Sequence, residues 1–376
     1  MAKRRPSGDG MVRKREDGRW EGRIVVGHKE NGDSIFRYVY ADTQKELTGK
    51  LRQHIDLYQG VDLTEQSRMT LGEWLDRWLE DIAGTIRPNT MTRYQGTVDR
   101  HIKPYLGDKP ISQVKGKDIQ RLYETLAKRG NRNTGEGLSS GTVRGIHSML
   151  HEALGAAQQA SIIPRNPTEE IEAPKFSYKP KKVLTDKQLD KFMEAVRQDA
   201  VWYDFFYTEL TTGLRRGELL GLKWSDIDLE KGDLRVQRQI GRIDGKIIEM
   251  PLKTKNAYRT LPLSADAISV LKIQKCKVGN SEWVFPSPTG GPMSPDSVLH
   301  MLHRVLKRAG LPKVRFHDLR HTFATLALQN GVDIKTVSGM LGHFSAGFTL
   351  DTYAHVTTSA KREAAKTMGN LLSDAV

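Results

Sequence analysis

The spacing of apolar positions changes along the chain, and each change predicts a different kind of structure. Residues 10–14, 20–27 and 34–40 have the β-branched and aromatic composition of strands, with Asp17-Gly18 and Asn31-Gly32 between them. Such pairs accept the positive φ of tight hairpin turns, so this stretch predicts a three-stranded sheet. A helix over 43–58 follows, with Thr43 as its N-cap. Beyond residue 68 the apolar positions fall at helical spacing, as in Leu71, Trp74, Leu75, Trp78 and Leu79. Pro88 sets up a helix over 89–101, and further helices are expected over 117–128 and 139–160, separated by a Gly/Asn loop over 130–137.

Pro164, Pro167, Pro174 and Pro180 then crowd residues 163–182. Proline fixes φ and removes a backbone donor, so an extended linker is expected there. Afterwards helical stretches (186–196, 205–222, 265–277) alternate with short strands (234–240, 247–250, 259–261), and helices return over 295–308, 317–329, 334–341 and 348–354. The expected fold is multi-domain. A small α+β module, a three-stranded sheet plus a helix, spans 1–65, and an all-α domain spans 66–163. A linker over 164–182 leads to a mixed, mainly-α domain over 183–376 that ends in a tail helix.

Charge narrows the choice of partner. Lys and Arg number 59 against 45 Asp and Glu, a formal net charge of +14. That excess suits a polyanion, either nucleic acid or an anionic membrane surface, because bound phosphates release counterions to clustered cations. No stretch reaches the ~20 apolar residues needed to span a bilayer, and the charged start is not followed by the apolar run of a secretory signal. The one cysteine, Cys276, can form neither an internal disulfide nor a cysteine-based zinc site, which fits a reducing cytoplasm. Arg4, Arg5, Arg13, Lys14, Arg15, Arg19 and Arg23 gather in the N-terminal tail and first strands, where a sheet could carry them into a DNA groove or simply present a solvated basic face. Arg87, Thr90 and Arg93 resemble a phosphate-contacting helix start, and Lys181 and Lys182 end the linker with charge suited to the DNA backbone.

Four clusters in the last domain carry chemistry: Thr211-Thr212-Gly213-Leu214-Arg215-Arg216-Gly217-Glu218, His317-Asp318-Leu319-Arg320-His321, Leu341-Gly342-His343, and Tyr353. Taken singly, each has an ordinary reading. Arg215 could pair locally with Glu218. His317 and His321, four residues apart, have the spacing of zinc ligands but lack an evident third ligand. His300 and His303 fit an ordinary helix, and a tyrosine near a chain end is often packing. Lys253 and Lys255, two residues apart, would face the same side of a strand, and Lys253 is preferred.

In this order the clusters resemble the tyrosine recombinases, the family of phage and conjugative-transposon integrases. Thr-Gly-Leu-Arg-Arg-Gly-Glu, His-x-x-Arg, and Leu-Gly-His followed by a tyrosine ten residues later match that family's motifs. The segment after Leu-Gly-His departs from the common Ser-Ser pattern and reads Phe344-Ser345-Ala346-Gly347-Phe348. The resemblance implies an arm-binding sheet module, a helical core-binding domain, and a catalytic domain that links DNA to Tyr353 through a 3′-phosphotyrosyl bond. Phenols have a pKa of about 10 and need help at neutral pH. Arg215 and Arg320 would grip phosphate oxygens with planar forks. Lys253 would protonate the departing 5′ oxygen, His317 would serve as base or proton relay, and His343 would hydrogen-bond the phosphate. Glu218 would orient His317 or Arg215.

No metal and no cofactor is implied, and the phosphotyrosyl bond removes the need for ATP. The implied partners are double-stranded DNA with core-type and arm-type sites, further copies in a tetramer on two sites, an excision factor and a host DNA-bending protein, with no membrane. The apolar stripe of Ala360, Ala364, Ala365, Met368, Leu371 and Leu372 in the tail would dock on a neighbouring copy or, alternatively, on its own domain. Competing readings are a resealing topoisomerase of the same tyrosine type, an inactive DNA-binding regulator, and a metal-dependent nuclease, which EDTA would stop.

Overall fold

The structure is a computed structural model that describes residues 10–29, 31–58, 63, 68–175, 182–243, 245–343, 345–353 and 365. Arg4, Arg5, Lys181 and most of the tail over 357–376 lie outside the described residues. Two compact units are present, Met1–Tyr178 and Lys179–Val376.

In the first unit, β1 (Met11–Lys14), β2 (Trp20–His28) and β3 (Ser34–Ala41) form an antiparallel sheet in the order β1-β2-β3. Helix α1 (Gln44–Tyr58) begins after Thr43, whose hydroxyl accepts from the Glu46 N–H at 3.2 Å. Leu47 and Leu51 of α1 bury against Ile24, Val26, Ile35 and Val39 on one face of the sheet. Side chains alternate across a strand, so Arg13, Arg23, Val25, Phe36, Tyr38 and Tyr40 share the opposite face.

The helical part comprises α2 (Leu71–Ile82), α3 (Pro88–Thr97), α4 (Lys103–Leu106), α5 (Gly116–Arg129) and α6 (Ser140–Gln159). A π-helical turn, Val98–Ile102, carries α3 into α4. Thr70 and Glu73 close a reciprocal cap on α2. The apolar stripe of that helix packs against α4 and α6, and the Trp74 indole donates to the Ala153 carbonyl at 2.9 Å. The beginning of the expected linker is not extended. Pro167–Glu170 is a 3₁₀ turn, and Asn166 and Thr168, each 1% exposed, bind one another and His151. Pro167 stands at the first position of the turn, where its missing N–H costs nothing.

The second unit begins with α7 (Asp186–Val196), α8 (Ala200–Thr212) and α9 (Arg216–Leu220). Strands β4 (Ile227–Asp228), β5 (Asp233–Val236), β6 (Arg238–Ile243), β7 (Lys246–Pro251) and β8 (Arg259–Pro262) follow. They form a β4-β5-β8 sheet and a separate β6-β7 hairpin, so the strand expected over 234–240 divides at Gln237 between two sheets. Helices α10 (Ala265–Val278), α11 (Pro295–Arg308), α12 (Phe316–Gln329), α13 (Ile334–Leu341) and α14 (Ala346–Tyr353) complete the unit. Phe192, Phe205, Phe206, Phe285 and Phe316 centre its core. Among the described residues, no helix is long and apolar enough to cross a membrane.

The single helix expected over 205–222 is two helices. Gly213 takes φ 61° and ends α8. The Phe323 ring occupies the space a side chain would need there, since a Cβ would lie 2.4 Å from its Cδ1. Only glycine meets both demands at low cost, and the break frees Arg215 to start α9.

Candidate active site

Arg215 is the N-cap residue of α9, and Glu218 closes the turn by accepting from its backbone N–H at 3.0 Å. The Arg215 Nη1 also donates to Glu218 at 2.5 Å, so the local pair read from the sequence is present. Its Nη2 reaches further, donating to the Gly342 carbonyl at 3.1 Å. Arg320, from α12, is 1% exposed and donates to the Gly213 carbonyl at 2.7 Å and to the Leu341 carbonyl. Arg259, at the start of β8, donates to the Met340 carbonyl at 2.6 Å and to Glu218 at 2.9 Å.

Three guanidinium groups thus hold three consecutive carbonyls, Met340, Leu341 and Gly342, at the end of α13. Carbonyls at a helix C-terminus carry partial negative charge and lack intrahelical partners. Gly342 (φ 59°) turns the chain directly into His343, and a Cβ on it would come within 2.9 Å of the Asn256 carbonyl oxygen. His343 Nδ1 shares a 2.7 Å hydrogen bond with Thr349 of α14, which is fully buried.

The electrostatics leave a cationic surplus. Burial opposes the charge on Glu218, but Arg259 and Arg215 outweigh it and hold the carboxyl below its ordinary value. Burial pushes Glu209 of α8 well above the usual carboxylate range. Burial, then the charge of Arg215, lowers Arg320 to about 9, which still leaves it cationic at pH 7. The guanidinium groups of Arg215, Arg259 and Arg320 surround the Glu218 carboxylate, a cationic surplus that an incoming phosphodiester would reduce.

A cavity of 580 Å³ opens on this arrangement, lined by Arg215, Glu218, Lys253, Thr254, Gly342 and His343 among others. The two lysines do not share a strand face as expected. Strand β7 ends at Pro251, so Lys253 lies in the following loop, while Lys255 begins a 3₁₀ turn and does not line the cavity.

Tyr353 closes α14 and is 2% exposed, packed with Ala324, Val337 and Leu341, and is not among the residues lining the cavity. Its hydroxyl shares a 2.6 Å hydrogen bond with Nδ1 of His321. His317 is exposed, and its ring meets the His321 ring edge-on with centroids 4.7 Å apart. His300 and His303 lie on α11.

The other expected contact residues are dispersed. Arg13 and Arg15 pair with buried Glu21, and Arg15 and Arg23 stack over Tyr40 and Phe36 on the open sheet face. Arg19 pairs with Asp17 in the hairpin turn, and Lys14 alternates to the other side of β1. Arg87 is the N-cap residue of α3, with Thr90 and Arg93 in its first turns. Lys182 is exposed at the start of the second unit. Arg259, Glu209, Thr349 and the His321–Tyr353 bond were not read from sequence. The partners of Arg259 and Tyr353 are remote in the chain, and Arg259 is one of 59 basic residues.

Comparison with known proteins identifies the family. The phage integrase family model matches residues 182–360, and the phage integrase N-terminal SAM-like domain matches 70–127. The chain is 32% identical to a XerC-like tyrosine recombinase of Caldanaerobacter subterraneus, over 93% of this chain and 95% of that protein. It is 27% identical to the transposase of transposon Tn916 from Enterococcus faecalis, over 92% and 95%. The solved Tn1549 transposon integrase in complex with a circular-intermediate DNA superposes with a TM-score of 0.69 at 25% identity, covering 80% of this chain and 99% of that one. A lambda integrase dimer bound to a core site shares the fold at a TM-score of 0.61 and 22% identity, covering 93% and 96%. The chain is a tyrosine-type site-specific recombinase and belongs to the phage integrase family.

Proposed function

We propose that this recombinase integrates and excises a mobile genetic element by cutting and rejoining DNA through Tyr353. The observation that carries the reading is the gathering of Arg215 and Arg320 on adjacent carbonyls, Gly342 and Leu341, immediately before His343. Arg215 and His343 line a cavity that Lys253 also enters. Donors fixed before the reaction stabilise charge developing on phosphate without reorganising. Arg215 and Arg320 grip the non-bridging oxygens, His343 donates to the phosphate, and His317 relays protons. Attack by the Tyr353 oxygen forms the 3′-phosphotyrosyl bond, and Lys253 protonates the departing 5′ oxygen. A 5′-hydroxyl from a partner strand then reverses the step, which exchanges strands without ATP.

Two strands cut at each of two sites require one nucleophile per strand, hence a tetramer. The sheet module over residues 1–65 serves arm-type sites, with Arg13, Arg15 and Arg23 beside exposed Phe36, Tyr38 and Tyr40. The helical domain over 66–163 serves core-type sites, with Arg87, Thr90 and Arg93 at a helix start suited to phosphate. An excision factor and a host DNA-bending protein set the direction.

The test uses a nicked core-site duplex whose short downstream strand diffuses away after cleavage. Wild type accumulates a covalent adduct in EDTA. Arg320→Lys binds the duplex but loses the adduct by ~10²-fold or more, because a point charge cannot replace a fork. A wild-type rate for that variant contradicts the reading.

A further inference from the structure

We infer that His321 is the group that takes the proton from the Tyr353 phenol, an inference that rests on Tyr353 being the nucleophile. A nucleophile held within hydrogen-bonding distance of a base, with a third group steadying the base, is the arrangement that activates a weak hydroxyl. Tyr353 Oη and His321 Nδ1 are 2.6 Å apart, and both residues are almost fully buried, at 2% and 3% exposure. His317 braces the imidazole edge-on. With its proton on Nε2, the imidazole accepts from the phenol through Nδ1.

The placement beside the phosphate site follows from chain neighbours. His321 is the residue after Arg320 on α12. Leu341 joins the two places, because its carbonyl accepts from Arg320 while its side chain packs against Tyr353. The reacting pair therefore shares a packing neighbour with the arginine that holds phosphate. His317 is exposed and offers a weaker case as acceptor, since the structure bonds the phenol to His321.

Other groups near the imidazole set its environment. On α12 these are His317 and Asp318, whose carboxylate faces burial but is held in the charged form by Arg315. Tyr353 comes from α14, while α13 presents Val337 and Leu341. Glu209 of α8 acts on Arg320.

The step balances. The phenolic proton moves to Nδ1, the Oη–P bond forms, the P–O5′ bond breaks, and Lys253 supplies a proton to the 5′ oxygen. In rejoining, the 5′-hydroxyl gives its proton to the Lys253 amine and attacks phosphorus, the P–Oη bond breaks, and the His321 imidazolium returns its proton to the departing phenolate.

His321→Asn keeps a polar atom near the Nδ1 position but cannot take a proton. Adduct formation on the nicked substrate should fall ~10²-fold or more at pH 7, the usual range for a lost general base. The rate should then climb about tenfold per pH unit towards pH 9, because the phenol must ionise unaided. His317→Asn should show no such slope. A second reaction separates proton transfer from folding. Ligation of a DNA end bearing a 3′-(4-nitrophenyl) phosphate needs neither Tyr353 nor a proton for its leaving group, so His321→Asn should ligate it within about threefold of wild type.

The inference is overturned by an adduct rate for His321→Asn near or above wild type, by the slope appearing in His317→Asn instead, or by loss of both reactions in His321→Asn, which would make the residue purely structural. Tyr353→Phe is run alongside. An adduct in that variant overturns the nucleophile itself, whereas none there with a normal His321→Asn overturns only the proton acceptor.

Discussion

Among the described residues, Glu218 is the carboxylate that pairs with the site's arginines, and its removal has a size that can be worked from the structure. Its side chain is 1% exposed and pairs with Arg259, itself 7% exposed, and with Arg215, which is 36% exposed. Breaking a buried pair costs roughly 3–5 kcal/mol, mostly by stranding the remaining charge. The Arg215 half is discounted for solvent screening. Arg259 keeps the Met340 and Ala257 carbonyls, which puts Glu218→Ala at the low end, about 3 kcal/mol. In a unit of this size about 1 kcal/mol shifts Tm by roughly 2–4 °C, so the catalytic transition should fall by about 6–12 °C. Calorimetry of the full chain, following the second unit's transition, measures this. Replacing both partners, as in Glu218→Leu with Arg259→Met, should cost less than the two single changes added together. A fall under about 3 °C for Glu218→Ala would mean that solvent already screens the pair, and the reasoning would fail.

Gly213→Ala should cost roughly 2–4 kcal/mol from the left-handed backbone and the clash with Phe323, and should slow adduct formation because the Gly213 carbonyl anchors Arg320; urea unfolding and the nicked-substrate assay check it. Burial holds the Glu209 carboxyl well above its ordinary value of 4.5, so the stability it contributes is complete below that value and is lost as pH rises through the folded pKa. Glu209→Gln should therefore gain Tm relative to wild type as pH rises from 4.5 towards 8, and a pH-independent difference would contradict the burial argument. Arg13→Ala and Arg23→Ala should each lower the slope of log affinity against log salt for arm-site duplex by about 1, and unchanged slopes would remove the sheet face from DNA.

The elements were legible where local chemistry decides them. Thr43 and Pro88 mark helix starts through capping and a preset φ, and the structure begins helices beside each. The division at Gly213 was not legible, because the Phe323 ring that demands it is more than a hundred residues away. Asn166 and Thr168 hid a packed turn inside a proline-rich stretch, since their partner His151 sits on the preceding helix. In the site, Arg215, Lys253, Arg320 and His343 stood out from motif and order. Arg259 did not, because its role comes from a helix end some eighty residues later. His321 looked like half of a metal pair, and only the arrival of α14 gives it the phenol.

The central claim is that Tyr353 carries the DNA. Its most direct test is to trap the adduct on the nicked duplex, digest protein and DNA, and locate the modified residue by mass spectrometry. The account predicts a nucleotide attached through a 3′-phosphate to Tyr353, and no adduct from Tyr353→Phe. Attachment to any other residue, or a cut 3′ end released without protein, would contradict it.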